Sequence, residues 1–105
     1  MELTKQNMPE TMYRASRFCR VMGNPTAYLI LKCLEQNSMT VSELSARLEI
    51  NLTTISKTLR HLRNVDAVRY LTIGKERAYW IKNSKISASL LVIENWIDDM
   101  RVKIE

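Results

Sequence analysis

Thr53, Lys57, Arg60 and Asn64 follow one another at intervals of four, three and four residues. On a helix that advances about 100° per residue this spacing gathers all four into one polar stripe. Lys and Arg can donate to the acceptor edge of guanine, Asn can pair with adenine, and Thr can meet a base edge or a thymine methyl. The chemistry on offer is therefore hydrogen bonding in the major groove of a duplex, with Ser56 and His61 on the flanks of the stripe. Ile55, Leu59 and Leu62 fall opposite, as an apolar stripe that would seat the helix on a core. A charged helix face also reads as a plain solvated surface, so the surroundings of this helix decide its meaning.

Those surroundings are legible from capping chemistry. Thr40-Val41-Ser42-Glu43 is a capping box with Met39 and Leu44 at the positions of a hydrophobic staple. Leu48-Glu49-Ile50-Asn51 then forms a four-residue turn, and Asn51 caps a second helix over about Leu52 to Asn64. Two helix starts this close leave room only for an angular helix-turn-helix connection. Val68 to Lys82 follows as a hairpin rich in Val, Tyr, Leu, Thr, Ile and Trp around Gly74. Lys75 and Arg77 sit beside its turn, placed to reach a phosphate or a minor groove. Tyr70, Tyr79 and Trp80 are read as hairpin packing in preference to a base-stacking platform.

Charge concentrates on the same stretch. Residues 53 to 85 hold eight basic and two acidic side chains, a net of +6, while the whole chain carries +5 and the remainder therefore −1. Cations confined to one third of a chain mark a surface that meets polyphosphate. The expected fold is α+β and mostly helical, a winged helix-turn-helix of about five helices and one β-hairpin wing.

With these residues in place a family resemblance can be stated. Val21-Met22-Gly23-Asn24-Pro25-Thr26 is similar to the LGNPTR entry of the ArsR/SmtB winged-helix repressors, and Met39 to Leu48 resembles their TVSELAERL segment. Ile50 to Val68 is similar to LSQPTVSHHLKVLREAGLV, through Ile50-Asn51, Thr54-Ile55-Ser56, Leu59, Leu62-Arg63 and Val68. The likeness spans about 60 residues, from Val21 to Ile81. It implies a homodimeric repressor that binds a palindromic operator and releases it when an effector binds. It also implies that Thr53, Thr54, Ser56, Lys57 and Arg60 occupy the recognition helix, with Lys75 and Arg77 on the wing. The chain departs from the pattern at Leu52-Thr53 and Lys57-Thr58, and puts Glu49 and Asp66 where the family has glycines.

The family's metal chemistry is not carried over. Its thiolate site is a Cys-x-Cys in the first helix of the motif, and Glu43 to Leu48 contains no cysteine. Its C-terminal site needs histidines, and the single histidine, His61, lies on the recognition helix. No metal or other cofactor is expected, and the effector is not named by the sequence. Cys33, in the apolar run Leu29 to Leu34, reads as a small core residue; the alternative is a thiol switch, either between Cys19 and Cys33 or between subunits. Glu94, Asp98 and Asp99 read as solvated carboxylates near a helix end.

The outer segments point to self-association. Ile86, Leu90, Ile93, Ile97, Met100 and Ile104 repeat at intervals of 4, 3, 4, 3 and 4, and Leu91, Val92, Trp96 and Val102 extend the apolar surface beyond that seam. A first helix over about Pro9 to Met22 adds Met12, Ala15, Phe18, Cys19 and Met22. The expected dimer interface comprises Met12, Phe18, Leu90, Ile93, Ile97 and Met100, although the same helices could instead close a monomeric core. Residues 1–105 are expected to form one domain, with these helices at its two ends. There is no run of 18 apolar residues and no signal peptide, and two scattered cysteines suit a reducing cytoplasm. The functional expectation is a cytoplasmic regulator, a homodimeric repressor on an inverted repeat in double-stranded DNA, without membrane contact. The alternative is a winged-helix docking module for an acidic protein partner, whose face would need exposed apolar anchors. An enzyme is not expected, since one histidine and no paired carboxylates in an apolar setting make no acid/base constellation.

Overall fold

Helix starts are set by side-chain caps, and three of them lock the centre of the molecule. Asn24 Oδ1 accepts the Thr26 amide proton at 2.8 Å ahead of Pro25, whose missing amide proton costs nothing in a first turn. Thr40 Oγ1 accepts the Glu43 amide at 3.1 Å while the Thr40 amide donates to Glu43 Oε1 at 2.9 Å, which completes the capping box. Asn51 Oδ1 accepts the Thr54 amide at 2.8 Å. The computed structural model describes the backbone of residues 2–104 and the side chains of residues 2–101. Over that range the elements run α1 (Glu10–Met22), α2 (Pro25–Leu34), β1 (Met39–Thr40), α3 (Val41–Leu48), α4 (Leu52–Asn64), β2 (Val68–Ile73), β3 (Glu76–Ile81) and α5 (Ser84–Ile104). This is the expected α+β winged helix-turn-helix, with one addition: the sheet has three antiparallel strands in the order β1-β3-β2.

β1 was not foreseen, because a two-residue strand has no sequence period. It exists through pairing with β3, Met39 opposite Tyr79 and Thr40 opposite Ala78. β2 and β3 pair from Val68–Ile81 to Ile73–Glu76 around a two-residue turn. Gly74 takes φ 63° there and Lys75 does not, as a type II′ hairpin turn requires.

Ile30 and Leu31 of α2, Leu44 of α3, Ile55, Leu59 and Leu62 of α4 and Leu90 of α5 are fully buried together. Val68 and Tyr79 close this core from the hairpin. Two corners beside α4 use left-handed backbone at residues with a Cβ, Glu49 (φ 56°) and Asp66 (φ 65°). Asp tolerates that region through its short polar side chain, whereas Glu gains nothing from it. Glu49→Gly is therefore expected to raise stability by about 0.5–1 kcal/mol in urea titrations, and a loss would show that the Glu49 side chain contributes more than its backbone costs.

Asp66 is also tied to Lys82 by a charged hydrogen bond across the base of the hairpin. Lys82 is the main cause that holds the Asp66 carboxyl below its ordinary value.

The C-terminal helix corrects two expectations. Its apolar row splits: Ile86 packs on the core, and Leu90 is 1% exposed in the single protomer, so Leu90 is a core residue and offers no surface to a partner. Beyond it Leu91, Val92, Ile93, Trp96, Ile97 and Met100 stand exposed, Val92 at 66% and Trp96 at 60%. The side chains of Val102 and Ile104 lie outside the described residues. The Cα radius of gyration is 15.9 Å, against about 13 Å for a compact chain of 100 residues, in keeping with helices that stand off the core.

Glu94, read from sequence as solvated, is instead held to α2. Tyr28 Oη donates to its Oε2, and Lys32 Nζ reaches it at 3.3 Å while also bridging Glu35 at 3.1 Å. Neither α2 partner is visible from the sequence around Glu94. Tyr28 first and Lys32 after it hold the Glu94 carboxyl below its ordinary 4.5. A depressed carboxyl contributes stability that is present above its unfolded value and lost as pH falls through the folded one. Burial first, then Glu94, pushes the Tyr28 hydroxyl up to about 12, so its contribution is full below about pH 10 and lost as pH rises through that raised value. Glu94→Gln is expected to flatten the fall in thermal midpoint between about pH 5 and pH 3, with Asp66 keeping part of the slope. An unchanged acid slope in the variant would remove Glu94 from this role.

Candidate nucleic-acid interface

The faces of α4 are divided as its spacing demands. Ile55, Leu59 and Leu62 are buried, and Thr58 joins them by donating its hydroxyl proton to the Thr54 carbonyl at 2.8 Å, which satisfies a polar atom inside the core. Thr53, Ser56, Lys57, Arg60, His61, Arg63 and Asn64 are exposed, while Thr54 is half-buried at the capped first turn. The hydrophobic seat fixes the rotation of the helix, and so the direction in which the cations point.

Ser56 and Arg60 of α4 and Lys75 and Arg77 of the hairpin line one groove of about 440 Å³, together with Arg63. Of the expected contact residues these four come together. Thr53 and Lys57 stand on the outermost edge of α4 beside it. His61 does not join them: it lies on the opposite flank, in a separate groove with Arg20, Val21 and Asn24. The sequence placed it near the polar stripe, and its angle around the axis puts it on the far edge.

The groove's electrostatics are one-sided. Among the described residues the ion pairs are Lys32 with Glu35 and Glu94, and Lys82 with Asp66, so Arg60, Arg63, Lys75 and Arg77 carry no carboxylate partner. Glu76 is the acid on this wall, and its Oε1 accepts a 2.7 Å hydrogen bond from Ser42 Oγ at the start of α3. The Tyr79 hydroxyl, and after it Tyr70, push the Arg77 guanidinium further up from an already high value. Such a surface can hold polyanion oxygens and donate to base edges at once.

Residues 24–70 match the model of the bacterial regulatory protein, arsR family. Over those residues the helix-turn-helix is similar to that of arsR-family regulatory proteins. The match runs from the cap of α2 through α4 into β2, and so contains all of α4. Comparison with curated proteins finds no match. Among solved structures the chain is similar to HlyU from Vibrio cholerae, with 25% identity, a TM-score of 0.75 and coverage of 85% of this chain and 97% of that one. NolR from Sinorhizobium fredii is similar in fold, with 22% identity, a TM-score of 0.77 and coverage of 90% and 94%. So is a homodimeric winged helix-turn-helix DNA-binding domain from Mycobacterium bovis, with 22% identity, a TM-score of 0.75 and coverage of 90% and 87%. The matched model is one of bacterial regulatory proteins, and the Mycobacterium bovis neighbour is described as a DNA-binding domain.

Several residues of this surface were missed in the sequence. Arg63 counted as charge and as part of the family resemblance but not as a contact residue, although it lies seven residues after Ser56 and so on the same flank. Tyr70 was read as packing; its ring does meet Tyr79, centroid to centroid at 5.3 Å, and it also carries two guanidinium groups. Ser42 and Glu76 meet across 34 positions of sequence, which no local pattern announces.

Cys19 is exposed on α1 and Cys33 half-buried on α2, both free thiols. Among the described residues no three His, Cys, Asp or Glu side chains stand where they could share a metal, and no helix is long and apolar enough to cross a membrane.

Proposed function

We propose that the protein is a cytoplasmic homodimeric repressor that lays α4 in the major groove of an inverted-repeat operator, with the wing on the adjoining backbone. The observation that carries this reading is the meeting of unpaired cations from α4 and from the hairpin in one groove. Thr53, Ser56, Lys57 and Arg60 take base edges, Thr54 and His61 serve the flank of the helix, and Lys75 and Arg77 take phosphate or minor groove. Dimerisation through Met12 and Phe18 of α1 and Ile93, Ile97 and Met100 of α5 is supported by the exposed apolar face of α5 and by the homodimeric Mycobacterium bovis neighbour. A two-fold pair would set the reading helices about 34 Å apart, so the half-sites should lie about one turn of duplex apart. One domain with association helices at both ends is the organisation this reading needs.

Selection of bound genomic fragments, followed by gel shifts, tests it. Arg60→Ala or Lys57→Ala is expected to weaken operator binding by about 1–3 kcal/mol with little change on random duplex. Lys75→Ala should weaken both alike and reduce the salt dependence. Equal losses on both duplexes for all three variants would overturn this division of labour. The docking alternative has one observation in its favour, Leu71 and Ile73 exposed at 59% and 62% on the outer face of the wing. An acidic protein that co-purifies at equal stoichiometry, with no fragment selected, would favour it.

A further inference from the structure

We propose that Arg63 and Arg77, both held on the Tyr70 ring, form a two-guanidinium clamp for a single backbone phosphate of the bound duplex. The clamp would sit at the seam between α4 and the wing, and it rests on the DNA-binding reading given above. The guanidinium carbons of Arg63 and Arg77 lie 5.0 and 4.3 Å from the centroid of that one ring. Arg63 comes from the last turn of α4 and Arg77 from β3, so two elements that share no local sequence bring like charges to the same aromatic ring.

Those two distances put the guanidinium carbons no more than 9.3 Å apart, and like charges within that range repel unless something negative lies near both. The carboxylates nearby are otherwise engaged: Asp66 holds Lys82, and Glu76 accepts from Ser42. The electron-rich face of Tyr70 is what the arginines have instead, and it attracts cations without cancelling their charge. A phosphate oxyanion would complete the arrangement, since two planar guanidinium forks can each present paired N–H donors to its oxygens.

Tyr70 is here a positioning residue. It is itself fixed, opposite Tyr79 in the strand register and against its ring. Arg77 is held diagonally across the same hairpin face, two positions from Tyr79. Long side chains stored in a binding-ready arrangement lose less rotamer freedom when the ligand arrives. Because a phosphate carries no base identity, the clamp sets the register of the protein on the duplex and leaves sequence choice to the outer edge of α4.

The test is binding to operator and random duplexes over a range of salt, with the arginine Nε–H resonances followed by NMR. Arg63→Gln is expected to weaken both duplexes by a common factor, roughly tenfold, and to lower the slope of log K against log salt by about one. Tyr70→Leu keeps every charge, yet should lose the same factor and the same slope, while Tyr70→Phe should behave as the parent protein. The double variant Arg63→Gln with Tyr70→Leu should be no weaker than either alone. Duplex should shift both Nε–H signals far more than inorganic phosphate at equal phosphate concentration. If Tyr70→Leu does not fold, Arg63→Gln and Arg77→Gln, both at exposed positions, carry the comparison.

A parental salt slope in Arg63→Gln, or in folded Tyr70→Leu, would overturn the clamp; if Arg60→Ala still lost operator binding, the DNA reading would stand without it. Absence of duplex binding by the parent protein would overturn both. Nε–H shifts caused by inorganic phosphate in that situation would leave an anion site and remove the duplex as its ligand.

Discussion

Ile97→Glu is expected to yield a folded monomer that holds its operator about 10²–10⁴-fold less tightly than the parent protein. Ile97 lies on the exposed part of α5 beside Ile93, Trp96 and Met100, past the point where Leu90 enters the protomer's own core. A carboxylate there meets water in the single chain and changes its stability by no more than about 0.5 kcal/mol. In a two-fold interface the same position faces its own copy or a near neighbour, so each substitution places charge in an apolar contact twice. Operator binding falls because the second half-site then has to be reached by an independent molecule. Sedimentation at micromolar concentration and fragment binding check this together. A variant that remains dimeric, or a monomer that binds like the parent, would refute the assignment of this face.

Leu59→Ala is expected to remove about 2–5 kcal/mol of stability, a large share of the 5–15 typical of a domain. Leu59 is wholly buried between the other apolar residues of α4 and their partners on α2 and the hairpin. Its loss leaves a cavity in the surface on which α4 is seated, so the direction of Lys57 and Arg60 becomes less well defined as the helix loosens. Lys57→Ala, on the exposed side of the same helix, should leave unfolding within about 0.5 kcal/mol of the parent. Urea titration of the two variants side by side reads the contrast, and a cost below about 1 kcal/mol for Leu59→Ala would mean that the seat collapses to fill the gap.

What the sequence displayed well was chemistry that acts over a few residues. The capping box at Thr40 and Glu43, the Asn51 cap and the bounds of α4 are contained within spans of four or thirteen residues, and all appear as expected. The two faces of α4 follow from its period, as does the exclusion of Ile55, Leu59 and Leu62 from the surface. Contacts made by distant segments were not displayed. β1 needs β3, Glu94 needs Tyr28 and Lys32, and the pair of arginines on Tyr70 needs the hairpin folded back on α4. Leu90 shows the limit of periodicity most directly: its place in a regular apolar row was correct, but the row changes its partner partway along, from the protomer's own core to open surface.

The brief pairing of Met39 and Thr40 with β3 has a mechanical result. Thr40 is at once a strand residue and the cap of α3, so a pull on the hairpin reaches the helix pair through backbone hydrogen bonds with no slack loop between, and Ser42 with Glu76 adds a second tether. The reading unit behaves as one rigid tool. In the proposed dimer, a signal received at α1 or α5 would change the grip on a duplex by turning each tool bodily against its twin, which would make spacing, and not the shape of either half, the quantity under control.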